Sequence, residues 1–168
     1  KIEVRQYAPL IVAETEVTGD MRDAGRAGFR LLADYIFGNN ISQENIGTAA
    51  TIQRPASEKI AMTAPVQQQL ANNSWLVSFV MPSEYNLEDL PKPKNVEVKL
   101  KNVPVKRFVT IQFSGTSSDE NLAKHKKLLV EFIKTNSISV TGTSKYAFYN
   151  PPWTLPLMRR NEVMFEVQ

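Results

Sequence analysis

The sequence predicts an α+β domain built from two copies of one strand-strand-helix-strand-strand unit. Alternating apolar residues, typical of half-buried strands, occur in pairs on either side of two stretches with helical periodicity. A glycine, Gly19 or Gly115, stands just before each helical stretch. The elements follow the same order in residues 1–84 and in residues 95–168. Such internal similarity indicates a domain made of two related halves.

Length and composition limit the class of protein. A chain of 168 residues can bury a sizeable core, so we expect residues 1–168 to form a single domain. Cysteine is absent and histidine occurs once, which argues against disulfides, thiolate chemistry and a protein-only transition-metal site. No stretch is long and apolar enough to span a membrane, so we expect a soluble protein. Because the chain begins at Lys1 and not at Met, we expect that an earlier segment has been removed. Either compartment, cytoplasmic or exported, therefore stays open.

The charge of the chain is unevenly distributed. Residues 1–84 contain seven Lys/Arg and nine Asp/Glu, about −2, whereas residues 85–168 contain thirteen and eight, about +5. The basic half could attract an anionic ligand. Since no basic patch is interleaved with aromatic residues, we predict no nucleic-acid partner.

The first unit opens with two strands, predicted at 2–7 and 10–17. Asp20 is placed to cap a helix over about 21–37, and Gly38 is in the expected position to end it. The polar segment that follows the helix, residues 41–58, shows no periodic pattern of apolar residues and is predicted to be loop. Two further strands follow, at 60–69 and 75–82. A linker at 83–94, rich in proline and lysine, is predicted to cross the surface to the second unit.

The second unit repeats this order. Strands are predicted near 95–101 and 106–114, followed by a helix over about 119–135. The run Ser117-Ser118-Asp119-Glu120 has the pattern of a capping box at its start. Residues 136–144 are rich in Ser and Thr and are predicted to be loop.

The closing stretch from Lys145 to Gln168 contains two strands around an apolar loop. The strand at 146–149 stops at Asn150-Pro151-Pro152, because proline cannot donate to a ladder. The final strand is predicted at 163–167. A loop between them that is this apolar must either be tucked under another element or cover one. Its apolar side chains are Trp153, Leu155, Leu157 and Met158.

The first helix is the most informative element for function. One apolar stripe has the spacing expected of a face packed on the sheet, namely Met21, Ala24, Gly28, Leu31, Leu32 and Tyr35. A second stripe steps by four and consists of Gly25, Phe29, Ala33 and Phe37. Three arginines flank it: Arg22, Arg26 and Arg30. Small residues beside an aromatic ring and guanidinium groups suit a flat apolar ligand with carboxylates at its edge. The alternative is close packing of the helix on the sheet, with Asp23 and Asp34 offsetting the arginines.

Catalytic motifs are missing from the sequence, and we predict that the protein is not an enzyme. There is no glycine-rich phosphate loop, G-x-S-x-G or H-E-x-x-H. Glu14 and Glu16 show no sign of an acid–base pair, and Glu162 is predicted to form a structural ion pair after Arg160. The single histidine, His125, lies at the border of the second helix's apolar stripe and is predicted not to be a ligand.

Three motifs in one order resemble the SOUL haem-binding family. They are I-E-V-R-Q-Y-A-P at 2–9, K-I-A-M-T-A-P-V at 59–66, and Y-N-P-P with R-R-N-E-V within 149–163. The resemblance covers nearly the whole chain. It implies two pseudo-symmetric halves that form a distorted barrel-like antiparallel sheet with two helices. It also implies reversible binding of haem or another tetrapyrrole in a shallow hydrophobic site beside the first helix.

The resemblance carries over to individual residues of this helix. Arg26 lies where family members have an arginine proposed to meet a propionate, and Phe29 and Ala33 lie where relatives have methionines that line the site. A lysine of some relatives is Asp34 here. One branch has a proposed axial histidine where this chain has Gln6, so no axial ligand is assigned. The predicted cofactor-binding residues are Arg22, Arg26, Phe29, Arg30 and Ala33.

These observations predict a non-enzymatic haem- or tetrapyrrole-binding protein that acts as a carrier or buffer. The alternative is a module of the same fold that binds another effector or a protein partner and does not bind haem. The family is related to the gyrase-inhibitor-like effector-binding modules, which is why that alternative is kept.

Overall fold

A computed structural model of the chain describes residues 1–43 and 56–168, so most of the loop predicted at 41–58 lies outside the described residues. Within them, two helices accompany a curled antiparallel sheet of eight strands, which confirms the predicted α+β class. The helices are α1, Met21–Ile36, and α2, Asp119–Thr135, and a short 3-10 helix spans Pro156–Met158. The strands are β1 (Ile2–Tyr7), β2 (Leu10–Val17), β3 (Asn40–Ile41), β4 (Val66–Ala71), β5 (Ser74–Val80), β6 (Lys92–Pro93), β7 (Lys99–Val103), β8 (Lys106–Phe113), β9 (Val140–Phe148) and β10 (Asn161–Val167).

The order of strands in the large sheet is β1-β8-β10-β9-β4-β5-β2-β7, and β3 pairs separately with β6. The first strand of each half pairs with a strand of the other half: β1 pairs with β8, and β7 pairs with β2. The pairing of β4 with β9 joins the halves in the middle of the sheet. If β1, β2, β4 and β5 are matched with β7, β8, β9 and β10, the order is the same from either edge. A duplicated unit would produce this order; the repeat itself stays a prediction.

Helix α1 packs on β2 and β5 above a core cluster that contains Leu32, Tyr35, Ile36, Val77 and Phe79. Its start follows from the sequence, because the Asp20 side chain accepts a hydrogen bond from the backbone nitrogen of Asp23 at 2.9 Å. The chain leaves the helix through Gly38, whose φ of 128° is unfavourable for a side-chain-bearing residue.

Helix α2 packs on β8 and β10 above a second core cluster, with Leu122, Leu129 and Ile133 buried as its inner stripe. Its N-cap is Ser118, whose side chain accepts from the backbone nitrogen of Asn121. The capping box predicted from Ser117 to Glu120 is therefore wrong by one residue. A box would need Glu or Gln where Asn121 stands.

Several predicted strand boundaries are wrong. The strand predicted to start at residue 60 begins at Val66, because the chain before it runs beside α1, with the Ile60 backbone nitrogen donating to the Ile36 carbonyl at 2.8 Å. The strand predicted from 95 begins at Lys99, after a turn in which the Asn95 side chain accepts from the Glu97 backbone nitrogen. Strand β9 begins inside the predicted loop 136–144. Its first residues are polar and mostly exposed, but Val140 and Thr141 pair with β10, which the side-chain pattern does not indicate.

The segment 83–94 was predicted to be a linker on the surface, but part of it belongs to the core. Leu90 is completely buried and joins the cluster beneath α1. The hydroxyl of Tyr35 donates to the Pro91 carbonyl at 2.7 Å, and burial raises the pKa of this tyrosine. The linker therefore helps to fix the C-terminal half of α1.

No helix in the described part of the chain is long and apolar enough to cross a membrane.

Candidate ligand-binding cleft

A cleft of about 960 Å³ opens between α1, the start of α2, the middle of the sheet and the loop that joins β9 to β10. This volume is at the upper end of the range for small-molecule sites. Helix α1 contributes lining residues at positions three or four apart, so they form one face of the helix. They are Met21, Arg22, Gly25, Arg26, Phe29 and Arg30.

The floor of the cleft is mainly apolar and comes from Val66, Val77, Phe148 and Leu122. The exception is Gln68, which is buried, and whose Nε2 donates to the Met21 carbonyl at 2.6 Å. This hydrogen bond ties β4 to the first turn of α1.

At Gly25, helix α1 closely approaches the end of the Gln68 side chain of β4. A Cβ built on Gly25 would lie 2.8 Å from Oε1 of Gln68, which is too close for a carbon atom. The second stripe identified in the sequence thus serves packing at Gly25 as well as lining the cleft.

The rim of the cleft carries a positive charge. Arg22, Arg26 and Arg30 are exposed, and within the described residues none of the three forms an ion pair with an acid. Arg159 contributes a fourth guanidinium from the opposite loop, and Asp119 is the acid among the described lining residues. Both helices also begin here. The positive ends of their dipoles therefore add to the potential, which favours an anion.

Phe29 presents part of its ring to the cleft. Its side chain is 39% exposed, and the rest packs edge-on against Phe79 with the ring centroids 5.3 Å apart. Ala33, one turn further along, is half-buried against the core cluster beneath α1 and does not line the cleft. Of the five predicted site residues, the structure therefore brings four together and leaves Ala33 aside.

The loop after β9 provides lining residues that the sequence analysis did not select. Pro151, Pro152, Trp153 and Arg159 all line the cleft. Arg159 holds the loop in shape, since its Nε donates to the Thr154 carbonyl at 2.7 Å and its Nη2 to the Pro152 carbonyl at 2.5 Å. The adjacent pair of prolines after a strand was the available signal, because it marks a rigid turn at a strand end.

The base of this loop is anchored by a buried acid. Glu162 is fully buried, and its Oε1 lies 2.6 Å from Nη1 of Arg5 and 2.7 Å from Nη2 of Arg160. The predicted ion pair with Arg160 is thus present, but the sequence did not indicate Arg5. The hydroxyl of Tyr149 donates to Oε2 of the same carboxylate at 2.9 Å. Burial, together with the Glu162 charge, raises the pKa of Tyr149.

The single histidine lies outside the cleft. The ring of His125 stacks on Phe113 with centroids 3.9 Å apart, and its Nδ1 lies 2.8 Å from the Asn121 carbonyl oxygen. The described lining residues include no histidine and no cysteine, and their sulfur atoms belong to Met21 and Met62. The described part of the chain also contains no cluster of His, Cys, Asp and Glu that could hold a metal ion.

Comparison with known proteins assigns the chain to a family. Residues 1–166, nearly the whole chain, match the family model described as SOUL heme-binding protein. None of the curated proteins matches the chain.

Solved structures share the fold at low sequence identity. The C-terminal domain of EcmrR is 10% identical with a TM-score of 0.71, covering 100% of this chain and 97% of that one. A hydrolase from Listeria innocua is 13% identical with a TM-score of 0.64, covering 100% and 92%. SAV2435 bound to tetraphenylphosphonium is 8% identical with a TM-score of 0.55, covering 100% and 94%. At these identities the likeness shows the fold alone.

Proposed function

The chain belongs to the SOUL heme-binding protein family, and from this premise we propose that it binds haem or another tetrapyrrole reversibly in the cleft beside α1. It would act as a carrier or buffer and not as an enzyme. The observation that carries the proposal is the combination of an apolar floor with arginines along one rim.

The residues of the cleft suit the chemistry of a porphyrin. A macrocycle offers two apolar faces, which would lie against Phe29 and the apolar floor. Its carboxylates would reach the rim, where Arg26 and Arg30 would meet them. A guanidinium group binds a carboxylate through charge-assisted hydrogen bonds, and these are stronger than neutral ones.

The lining residues provide few side chains that could ligate the haem iron. A bound haem would supply a redox-active and ligand-binding metal centre. Among the described lining residues, however, the types that ligate haem iron are Met21, Met62 and Tyr149, and the Tyr149 hydroxyl already donates to Glu162. We therefore infer that affinity comes from apolar contact and the carboxylates.

The arrangement also favours a binding role over catalysis. Asp119 is the acid among the described lining residues of the cleft, and Asp20, which lines an adjoining pocket with it, is occupied as the cap of α1. Glu162 is nearby but is engaged by two arginines and a tyrosine, so its oxygens are not free to move a proton.

The alternative function is an effector-binding module for a different amphipathic molecule. SAV2435, which shares the fold, is described as bound to tetraphenylphosphonium, a lipophilic cation. Among the described residues, four arginines and one aspartate line the cleft of this chain. Like charges repel, so we expect a lipophilic cation to bind more weakly than a dicarboxylate of similar size.

A haemin titration tests the proposal. The full chain is titrated while the Soret band and the tryptophan fluorescence are followed. Saturation at one site supports the proposal, and linear uptake without saturation contradicts it.

A Trp153→Phe variant is the matched control. It should bind haemin to the same stoichiometry but lose much of the fluorescence quenching, because Trp153 lines the cleft while Trp75 packs against the core cluster beneath α2. Tetraphenylphosphonium serves as the competitor, and stronger binding of this cation than of haemin would favour the alternative.

A further inference from the structure

We propose that the loop between β9 and β10 docks this protein onto an anionic membrane surface. Four apolar side chains of the loop would enter the headgroup region, and arginines beside them would meet anionic lipids. One of these side chains, Trp153, also lines the cleft, so the docking is tested without added ligand. We call these four residues, Trp153, Leu155, Leu157 and Met158, the apolar tip.

The apolar tip is exposed to a degree that is unusual for side chains of this size. The exposed fractions are 84% for Trp153, 67% for Leu155, 88% for Leu157 and 71% for Met158. The sequence predicted that such a loop must be tucked under an element or cover one, and the structure contradicts the first option. Four large apolar side chains within six residues of an exposed loop form a patch of the kind that marks an interaction site.

The tip is presented by a backbone that is already in place. The Thr154 nitrogen donates to the Pro151 carbonyl at 3.0 Å, and the Met158 nitrogen to the Leu155 carbonyl at 2.9 Å. The Gly115 nitrogen donates to the Pro156 carbonyl at 2.8 Å, which ties the loop to the strand-to-helix turn before α2. Because these hydrogen bonds already hold the backbone of the loop, binding does not have to order it, and little backbone entropy is lost.

The charge around the tip selects the kind of partner. No acidic residue occurs between Asn150 and Arg160. Arg159 uses its guanidinium on backbone carbonyls and so keeps its positive charge uncompensated. Across the cleft stand the three exposed arginines of α1. Positive charge beside exposed Trp and Leu is the composition of proteins that lie on anionic lipid, because apolar burial and attraction to the headgroups act together.

This charge also argues against a second copy of the chain as the occupant. A two-fold dimer uses the same patch on both subunits. It would bring Arg159 of each copy, and the arginines across each cleft, towards their own counterparts. Like charges that face each other across an interface oppose association. A tryptophan among aliphatic side chains instead matches the interfacial zone of a bilayer, where amphipathic rings accumulate.

Vesicle co-sedimentation of the full chain, without added ligand, tests the proposal. The probes are phosphatidylcholine vesicles with and without phosphatidylserine. We expect binding that requires phosphatidylserine and falls as salt is raised. The paired change Trp153→Ser with Leu157→Ser should weaken partitioning by roughly tenfold or more, since two large apolar side chains lose their burial. Its melting temperature should stay at the wild-type value, because both side chains are exposed.

Val96→Ser is the matched control. Val96 is 88% exposed on the turn before β7, away from the cleft, so this change should leave partitioning unaltered. In a Trp75→Phe background, the remaining Trp153 should shift its fluorescence to the blue on vesicles and be quenched by brominated phospholipid.

Four results would overturn the proposal. They are no vesicle binding by the wild type, equal binding with and without phosphatidylserine, equal loss in the Val96→Ser control, and concentration-dependent self-association in solution that the paired change abolishes. The last result would assign the apolar tip to a contact between copies of the chain.

Discussion

Gly28 of α1 lies directly against Val77 of β5. A Cβ built on this glycine would come within 2.6 Å of both Cβ and Cγ2 of Val77, closer than real carbon atoms approach. The glycine thus sets the distance between α1 and the sheet, and with it the position of the arginines along the cleft. This contact supports the packing interpretation of Gly28, while the neighbouring face of the helix lines the cleft.

Gly28→Ala should destabilise the fold although alanine is the better helix former. The helix would gain about 1 kcal/mol in propensity, but overpacking against β5 costs about 1–3 kcal/mol. We expect a net loss in the free energy of unfolding, measured by urea denaturation. Adding Val77→Ala should make room for the new methyl group, so the double mutant should lose less than the sum of the single changes. Additive losses would contradict the contact.

Arg26→Gln combined with Arg30→Gln should weaken haemin binding at least tenfold, with the melting temperature of the free protein nearly unchanged. Each charge-assisted contact with a carboxylate contributes about 1.5–3 kcal/mol, less where water screens it. Haemin dimethyl ester is the control, because it lacks the carboxylates and should bind wild type and variant alike. If the ester distinguishes the two proteins as strongly as haemin does, the arginines act through structure and the propionate assignment is wrong.

His125→Ala should leave the haemin spectrum and affinity unchanged. The ring stacks on Phe113 and lies outside the cleft, so its loss affects packing and not the ligand. The melting temperature should fall slightly as the stacked contact disappears. A lost or shifted Soret band would show that the histidine reaches the iron.

Glu162→Gln should cost about 1–3 kcal/mol of stability, since two arginines and a tyrosine lose a buried carboxylate while Arg5 keeps its ion pair with Glu3. The carboxylate is completely buried between Arg5 and Arg160, and Arg5 keeps only 19% of its side chain exposed. Glu166→Gln, on the same strand, is the matched control. Its ion pair with Lys106 is about one third exposed on each side, so its loss should cost less than about 1 kcal/mol. Equal losses in chemical denaturation would show that burial of Glu162 is not what matters.

The chain should unfold in a single transition. The pairing of β4 with β9 continues one sheet across both halves, and β1 and β7 each pair with a strand of the other half. Neither half therefore has a complete sheet by itself. Two resolved transitions in calorimetry, or an independently folded fragment of residues 1–84, would contradict this prediction.

Much of the cleft could be predicted from the sequence because α1 is a local structure. Its hydrogen bonds join residues four apart, its cap lies within three residues, and its faces follow from the period of the helix. These rules place Arg22, Arg26, Phe29 and Arg30 on one face, and the structure has them together at the cleft. The same rules do not say where the face ends. Ala33 has the right period, but it packs against the core cluster beneath α1 and does not line the cleft.

The sequence by itself determined the α+β class, the two helices, the Asp20 cap of α1, and the stripe of arginines beside an apolar face. The tertiary structure decided which strands pair, where β9 and β4 begin, and that Arg5 meets Glu162 from 157 residues away. It also decided that the apolar tip remains exposed. The physical reason is the range of the interactions. A helix closes its hydrogen bonds within one turn, whereas a strand takes its partners, and a loop its cover, from distant parts of the chain that no local pattern identifies.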